Sequence, residues 1–340
     1  KVVVVKANDA TFIDSNAVLR TTNMPKTRTM TNSADSLDSI LSFNSDGFTV
    51  KHEAGAEGKT NVSGKTYYWY AFGGDRVVVG NYTGNSTSGK AIVGVGFAPQ
   101  MVWIQIRGLT DGTIHRTKSM STEDFFFNSD LGDTDRTLSL DNDGFTLGTD
   151  GAVNANGSVY DYIAWGLADN FDEGTYIGDG TDDRNLPSPP LLFNPQLAHI
   201  KPDSGMTPHF KVASLTGDNS MDYSTGVSQP DNIQSLGQGT FQIGNDLTGM
   251  NANGITHYWF AVGTAVGFAI GIAEDGTVVE PHATIVDFTE PDGTLVTSSP
   301  AGEANVNMAL YTKLAGRSGG QTLIGGTVDN TFLGLQGNSA

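Results

Sequence analysis

Asp143-Gly144-Phe145-Thr146-Leu147, then Asn154-Ala155-Asn156-Gly157, then Val159-Tyr160-Asp161-Tyr162-Ile163-Ala164-Trp165 is the stretch whose reading decides the fold. Asp-Gly marks a tight hairpin turn, the residues after it alternate, and Asn-Gly marks a second turn before an aromatic and β-branched run. Those are the signals of antiparallel strands. The stretch also recurs: Asp46-Gly47-Phe48 leads through Asn61-Val62-Ser63-Gly64 to Tyr68-Trp69, and Gly239-Thr240-Phe241 leads through Asn251-Ala252-Asn253-Gly254 to Tyr258-Trp259. Copies about 96 residues apart mean one unit repeated in tandem.

The repeat extends outward. Tyr82-Thr83-Gly84-Asn85 returns as Tyr176-Ile177-Gly178-Asp179, and Phe97-Ala98-Pro99-Gln100 returns as Phe193-Asn194-Pro195-Gln196, each followed by an apolar run. Module two therefore spans 77–169 and module three 170–263, with module one at 1–76 and a C-terminal segment at 264–340 outside the frame. Lys1 to Lys6 aligns with the middle of a module, so roughly the first twenty residues of module one, judged by the repeat spacing, have no counterpart. Either a preceding region lies outside the chain, or module one is completed by a strand from the C-terminal segment or a neighbouring subunit.

Within module two, Val77-Val78-Val79 precedes the Tyr82 turn, Met101 to Ile106 reads as a buried strand with Trp103, and Thr137 to Leu140 alternates before Asp143-Gly144. Roughly seven to nine strands per module predict an all-β antiparallel sandwich of jelly-roll or Greek-key type. After 263 come two hairpin signals, Glu274-Asp275-Gly276-Thr277 and Pro291-Asp292-Gly293-Thr294, and a Gly-rich tail. A smaller β segment is expected there. Phe260 to Ile272 is the longest apolar candidate, but Gly263, Gly267 and Gly271 divide it into two strands rather than a membrane span.

Composition agrees with short strands and many turns, with 43 Gly and only 12 Pro among 340 residues. A formal charge of −18 opposes both nucleic acid and anionic membranes as partners. The absence of cysteine excludes thiol catalysis, cysteine-ligated zinc and iron–sulfur clusters.

The unit from Tyr82 to Ile106, then Asp143 to Gly148, then Asn156 to Trp165 resembles the sandwich module of tailed-phage virion structural proteins of tail-fibre and head-decoration type. The resemblance implies tandem concanavalin-A-like or jelly-roll sandwiches and carries no catalytic residue. It is best in module two, weaker in module three, partial in module one, and absent from the C-terminal segment.

Candidate chemical sites are few. Asp130, Asp133, Asp135, Asp141 and Asp143, with Asp179, Asp182 and Asp183 in the leading loop of module three, offer hard oxygen ligands suited to Ca²⁺, though none follows an EF-hand spacing. No other cofactor is expected. The histidines His52, His115, His199, His209, His257 and His282 are scattered, and packed or surface roles suit them better than zinc or acid–base chemistry. Glutamates do not recur at equivalent positions, which argues against paired-carboxylate glycoside cleavage. Trp69, Trp165 and Trp259 read as one recurring position, either core or the aromatic face of a sugar platform, and Trp103 reads as core. Asn61, Asn81, Asn85 and Asn156 head glycosylation sequons.

The expectation is a non-enzymatic structural subunit on a virion or cell surface, with rigid sandwiches in a row and the two chain ends making contacts with copies of itself or with other virion subunits. The end residues singled out are Lys1, Val2, Val3, Val4 and Val5, and Leu323, Ile324, Phe332, Leu333 and Leu335. The alternatives are a bacterial or archaeal surface filament subunit that exchanges strands between neighbours, and an adhesin that binds surface glycans.

Overall fold

The structure, a computed structural model, describes residues 1–9, 16–31, 38–51, 60–108, 111–224, 226–246, 249–265, 270–274, 277–283, 322–325 and 332–336. The chain divides into two units, Lys1–Ala265 and Val266–Ala340.

Module one supplies β1 (Val2–Ala7), β2 (Val18–Thr21), β3 (Arg28–Thr29), β4 (Ile40–Phe43), β5 (Phe48–Val50) and β6 (Tyr67–Phe72). Module two supplies β7 (Val77–Thr83), β8 (Lys90–Val93), β9 (Pro99–Ile106), β10 (Ile114–Thr117), β11 (Phe125–Phe126), β12 (Thr137–Asp141), β13 (Gly144–Leu147) and β14 (Val159–Gly166). One helical turn, α1 (Gly151–Asn154), is capped by the Asp150 carboxylate, which accepts the Ala152 N–H at 2.7 Å. Module three repeats the plan with β15 (Phe171–Ile177), β16 (Arg184–Leu186), β17 (Phe193–Pro202), β18 (His209–Val212), β19 (Met221–Asp222), β20 (Ile233–Leu236), β21 (Phe241–Ile243) and β22 (Thr256–Ala265).

All the described strand pairs are antiparallel and stay within one module, so the fold is an all-β tandem sandwich. In module two a five-stranded sheet, β11-β10-β9-β14-β7, faces the three-stranded sheet β12-β13-β8; module three matches it with β19-β18-β17-β22-β15 over β20-β21-β16. Val102, Ile104 and Tyr162 from one sheet meet Phe145 and Leu147 from the other, as Ile200 and Trp259 meet Phe241 and Ile243. Module one has β3-β2-β1-β6 over the pair β4-β5, and nothing among the described residues stands where β7 and β8 stand in module two. In the second unit β23 (Ile270–Glu274) pairs with β24 (Thr277–Ala283) and β25 (Thr322–Gly325) with β26 (Phe332–Gln336). The expected turn at Glu274–Thr277 therefore closes a hairpin, the turn at 291–294 lies outside the described residues, and the 260–272 run breaks into β22 and β23 as its glycines predict.

The sandwiches are not strung in a row. Ladder positions establish which residues correspond: Val4 sits between Leu19 and Tyr70, Trp103 between His115 and Ile163, and His199 between Phe210 and Phe260. Side chains alternate along a strand, so the set containing Val4, Trp103 and His199 turns away from each module's own second sheet. Val2, Val4, Tyr70, Met101, Trp103, Ile163, Leu197 and Phe260 form one cluster common to all three modules. A two-faced sheet with both faces apolar must be covered twice; here the second cover is the other two modules.

The common core closes head to tail. Module one donates the Ala17 N–H to the Tyr223 carbonyl of module three at 2.9 Å, and module two donates the Thr113 N–H to the Met30 carbonyl of module one at 2.8 Å. The corresponding residue of module three is Pro208, just before β18, which has no N–H to give. Module three reaches module two instead through Lys201 Nζ, which donates to the Asn128 carbonyl at 3.2 Å, so contacts running one to three, two to one and three to two describe a closed heterologous ring rather than an open array.

Candidate assembly site

The ring is sealed by polar side chains at one ladder position. Lys6, Gln105 and Lys201 lie opposite Tyr68, Asp161 and Tyr258. Lys6 Nζ donates to the Gly226 carbonyl of module three at 3.1 Å, and Gln105 Nε2 donates to the Thr29 carbonyl of module one at 2.6 Å. Lys201 Nζ donates to the Asn128 and Asp130 carbonyls of module two, both at 3.2 Å, and also to those of Ser204 and Met206. Burial lowers both lysines to about 8, opposed by Asp222 for Lys6 and by Asp130 and Asp203 for Lys201. Each cation is held by carbonyl dipoles and serves the junction.

The histidines are packed in the same region. His115 and His199 meet edge to face at 5.1 Å, and His199 Nδ1 lies 3.0 Å from the Tyr223 hydroxyl, which in turn lies 3.1 Å from that of Tyr70. Burial lowers His115 to about 3 and His209 to about 4, and holds His199 well below the ordinary imidazole range, so these rings are neutral. His209 Nδ1 lies 3.0 Å from Ser220 Oγ, and His257 faces the Ile255 and Gly249 carbonyls at 2.9 and 3.3 Å. His52 lies outside the described residues. The sequence suggests packed or surface histidines but not that modules two and three bring His115 and His199 together; no local signal marks that meeting.

The five aspartates proposed for Ca²⁺ are each engaged by hydrogen bonds within their own loop or to a neighbouring one. Asp130 binds Asn128, Asp133 accepts the Asp135 N–H, and Asp135 accepts the Thr149 hydroxyl. Asp141 accepts the Ser139 and Thr146 hydroxyls at 2.7 Å, and Asp143 accepts the Gly94 and Gly96 N–H groups at 3.1 and 2.6 Å. Among the described residues no three acidic or histidine side chains gather as a metal would require. The deeper carboxyl is Asp124, raised to about 7 by burial against the opposing pull of Arg136 and Thr137.

The N-terminal residues expected at an interface are interior. Val2, Val3, Val4 and Val5 are at most 2% exposed, with β1 paired to β2 on one side and β6 on the other. An unbroken valine run is buried on both faces, which is what a central strand needs, so it is unavailable to a partner. Lys1 is exposed, and its ammonium donates to the Asn44 carbonyl at 2.5 Å. Leu323 and Ile324 lie in β25, and Phe332, Leu333 and Leu335 lie in β26, which pair with each other.

Among the described residues β6 ends its sheet, where the equivalent strands β14 and β22 are each followed by one more, β7 or β15. Ladder register corrects the tryptophan reading: Trp69 corresponds to Tyr162 and Trp259, whereas Trp165 corresponds to Phe72 and Val262. Counted from the Asn that opens each turn, Trp165 falls three residues later than the other two, on the opposite face of its strand. Trp165 and Trp259 are buried at 2% and 4%, while Trp69 is 55% exposed and touched edge-on by Phe48 at 5.2 Å. Beside it runs a groove of 530 Å³ lined by Trp69, Phe72, Leu197, Val212 and Val262.

Residues 73–170, which bracket module two, match the family model described as a domain of unknown function (DUF7483). No curated protein and no solved structure matches the chain.

Proposed function

We propose that the chain is a non-enzymatic structural subunit of an extracellular particle, a phage virion component of head-decoration, fibre or tail-associated kind, acting through assembly. The observation that carries this reading is the closed ring: Lys6, Gln105, Lys201, His199 and Tyr223, five of the buried polar groups, bond across or beside module junctions. Groups used in that way build a rigid body, and a rigid body with open sheet edges, β6 among them, suits a part that is fitted to others.

Sedimentation velocity and electron microscopy over a concentration series test it. A structural subunit forms a defined oligomer or particle with interfaces above ~1,200 Å². A chain that stays monomeric at high concentration and binds a defined glycan, with binding lost in Trp69→Ala, overturns the reading in favour of an adhesin. The open β6 edge favours one further reading, a filament subunit, for which the same micrographs would reveal head-to-tail contacts.

A further inference from the structure

Among the described residues module one shows no counterpart of two strands that its sister modules possess, and the sisters display what covers the corresponding edge. β7 runs antiparallel along β14 with Gly80 opposite Tyr162, and β15 runs along β22 with Gly174 opposite Trp259. The aromatic ring lies across the glycine in both: a Cβ on Gly80 would stand 2.4 Å from the Tyr162 ring, and one on Gly174 would stand 2.8 Å from the Trp259 ring. Two residues on, Tyr82 stacks on Tyr160 at 5.1 Å and Tyr176 on His257 at 4.7 Å. Both tyrosine hydroxyls donate to a main-chain carbonyl, of Val153 or Met250.

The next turn is equally constrained. A Cβ on Gly84 or Gly178 would stand 2.2 or 2.0 Å from the carbonyl oxygen of Ala155 or Ala252. The following N–H, of Asn85 or Asp179, donates to Oδ1 of Asn154 or Asn251 at 2.9 or 3.0 Å. At the other end Val77 lies opposite Trp165 and Phe171 opposite Val262. The cover is thus one pattern used twice: apolar-x-x-Gly-x-Tyr-x-Gly-Asn/Asp.

Every receiving group has its counterpart in module one. Trp69 stands where Tyr162 and Trp259 stand, and Tyr67 where Tyr160 and His257 stand, its hydroxyl accepting the Val62 N–H at 2.9 Å as Tyr160 accepts that of Ala155 at 2.8 Å. Asn61 corresponds to Asn154 and Asn251, which are at most 1% exposed; it is exposed and has no hydrogen-bond partner among the described residues. Phe72, at the place of Trp165, borders the apolar groove.

We propose that the edge of β6 that no described strand pairs is a strand-docking site, which takes an extended polypeptide of that same pattern antiparallel to β6, with its first Gly opposite Trp69, its Tyr over Tyr67 and its last N–H on Asn61. Main-chain hydrogen bonds supply affinity, and the glycine demanded by the Trp69 ring supplies selectivity, because any side chain there meets the indole. The proposal concerns this edge alone and is independent of the particle role.

The test is a titration of the chain with a peptide of the sequence Val77–Asn85, read by acrylamide quenching of tryptophan emission. Trp103, Trp165 and Trp259 are buried at 1%, 2% and 4%, so the quenchable emission belongs to Trp69. Docking removes that quenching saturably, a Val replacing the Gly80 equivalent of the peptide weakens docking by roughly tenfold or more, and Asn61→Ala in the chain weakens it by about fivefold. A second form of the test joins a copy of residues 77–99 ahead of Lys1, which corresponds to Gln100, and shields Trp69 with no free peptide. The proposal is overturned if neither the peptide nor the joined copy shields Trp69, or if the Val peptide binds as well as the Gly peptide.

Discussion

The hydroxyl oxygens of Tyr70 and Tyr223 lie 3.1 Å apart, although 153 residues separate them in the chain. Tyr223 also faces His199 Nδ1 at 3.0 Å, so one hydroxyl ties module three to module one and holds an imidazole. Burial raises both phenols far above their ordinary range, and neither ionises in the folded chain. Tyr223→Phe leaves two buried groups short of a partner and is expected to cost about 2–3 kcal/mol, while Tyr70→Phe leaves one and costs about 1–2. Urea unfolding of the two variants checks the order; equal losses would contradict the shared role of Tyr223.

Acid should loosen the ring. His115 and His209 have folded values lowered to about 3 and about 4 from 6.5, and His199 is lowered further. A base with a depressed folded value contributes stability that is complete above 6.5 and lost as pH falls through the folded value. Asp124 acts in the opposite sense: raised to about 7 from 3.8, it contributes below 3.8 and loses that contribution as pH rises through 7. Burial also raises Asp172, Glu173 and Asp222 and lowers His257; the fully enclosed imidazoles His115, His199 and His209 carry the larger change, so the melting temperature should fall between pH 6.5 and 4. His115→Gln and His199→Gln should each flatten that fall. A melting temperature that stays level or climbs toward pH 4 would rule the account out.

Lys201 makes the opposite end of the pH range informative. Its folded value of about 8 lies below the 10.5 of the unfolded chain, so the unfolded state holds more protons between those values and stability rises with pH there. Lys201→Met leaves the Asn128, Asp130, Ser204 and Met206 carbonyls without that donor and should cost about 2–3 kcal/mol at pH 7. The difference between wild type and variant should widen from pH 8 to pH 10. A difference independent of pH would mean that the lysine is not titrating inside the junction.

The glycine beneath each aromatic ring is open to a paired substitution. Gly80→Ala should destabilise by about 1–3 kcal/mol, because its Cβ would stand 2.4 Å from Tyr162. Gly80→Ala combined with Tyr162→Leu should lose less than the sum of the two single changes, since the smaller side chain removes the collision. Calorimetry on the four proteins checks it, and strict additivity would refute a direct contact.

Much of the architecture was legible because it is local. The Asp143-Gly144 turn, the Asn154 and Asn251 turns and the alternating runs between them place strands where β13, β14 and β22 lie, and the glycines of 260–272 divide that run correctly. What stayed hidden depends on contacts between modules. Val4, Trp103 and His199 occupy one ladder position yet share no chemistry, so no comparison of residue types marks them as a set. Trp165 misled for the converse reason: the same residue type, three places out of register, faces the other way. Val2 to Val5 offered the correct signal, four valines without alternation, which indicates a strand covered on both faces rather than a sticky end.

That one ladder position carries valine, tryptophan and histidine has a consequence for how such a ring can be encoded. Three identical subunits would repeat every axial side chain, and three tryptophans overfill a space that three valines leave hollow. Joining the modules covalently lifts that restriction, so a large residue on one can face a small one on the next. It also lets a proline stand where the other two modules donate a main-chain hydrogen bond. The single chain thereby gains a freedom that symmetry denies to a homotrimer: each of its three joints can be tuned alone.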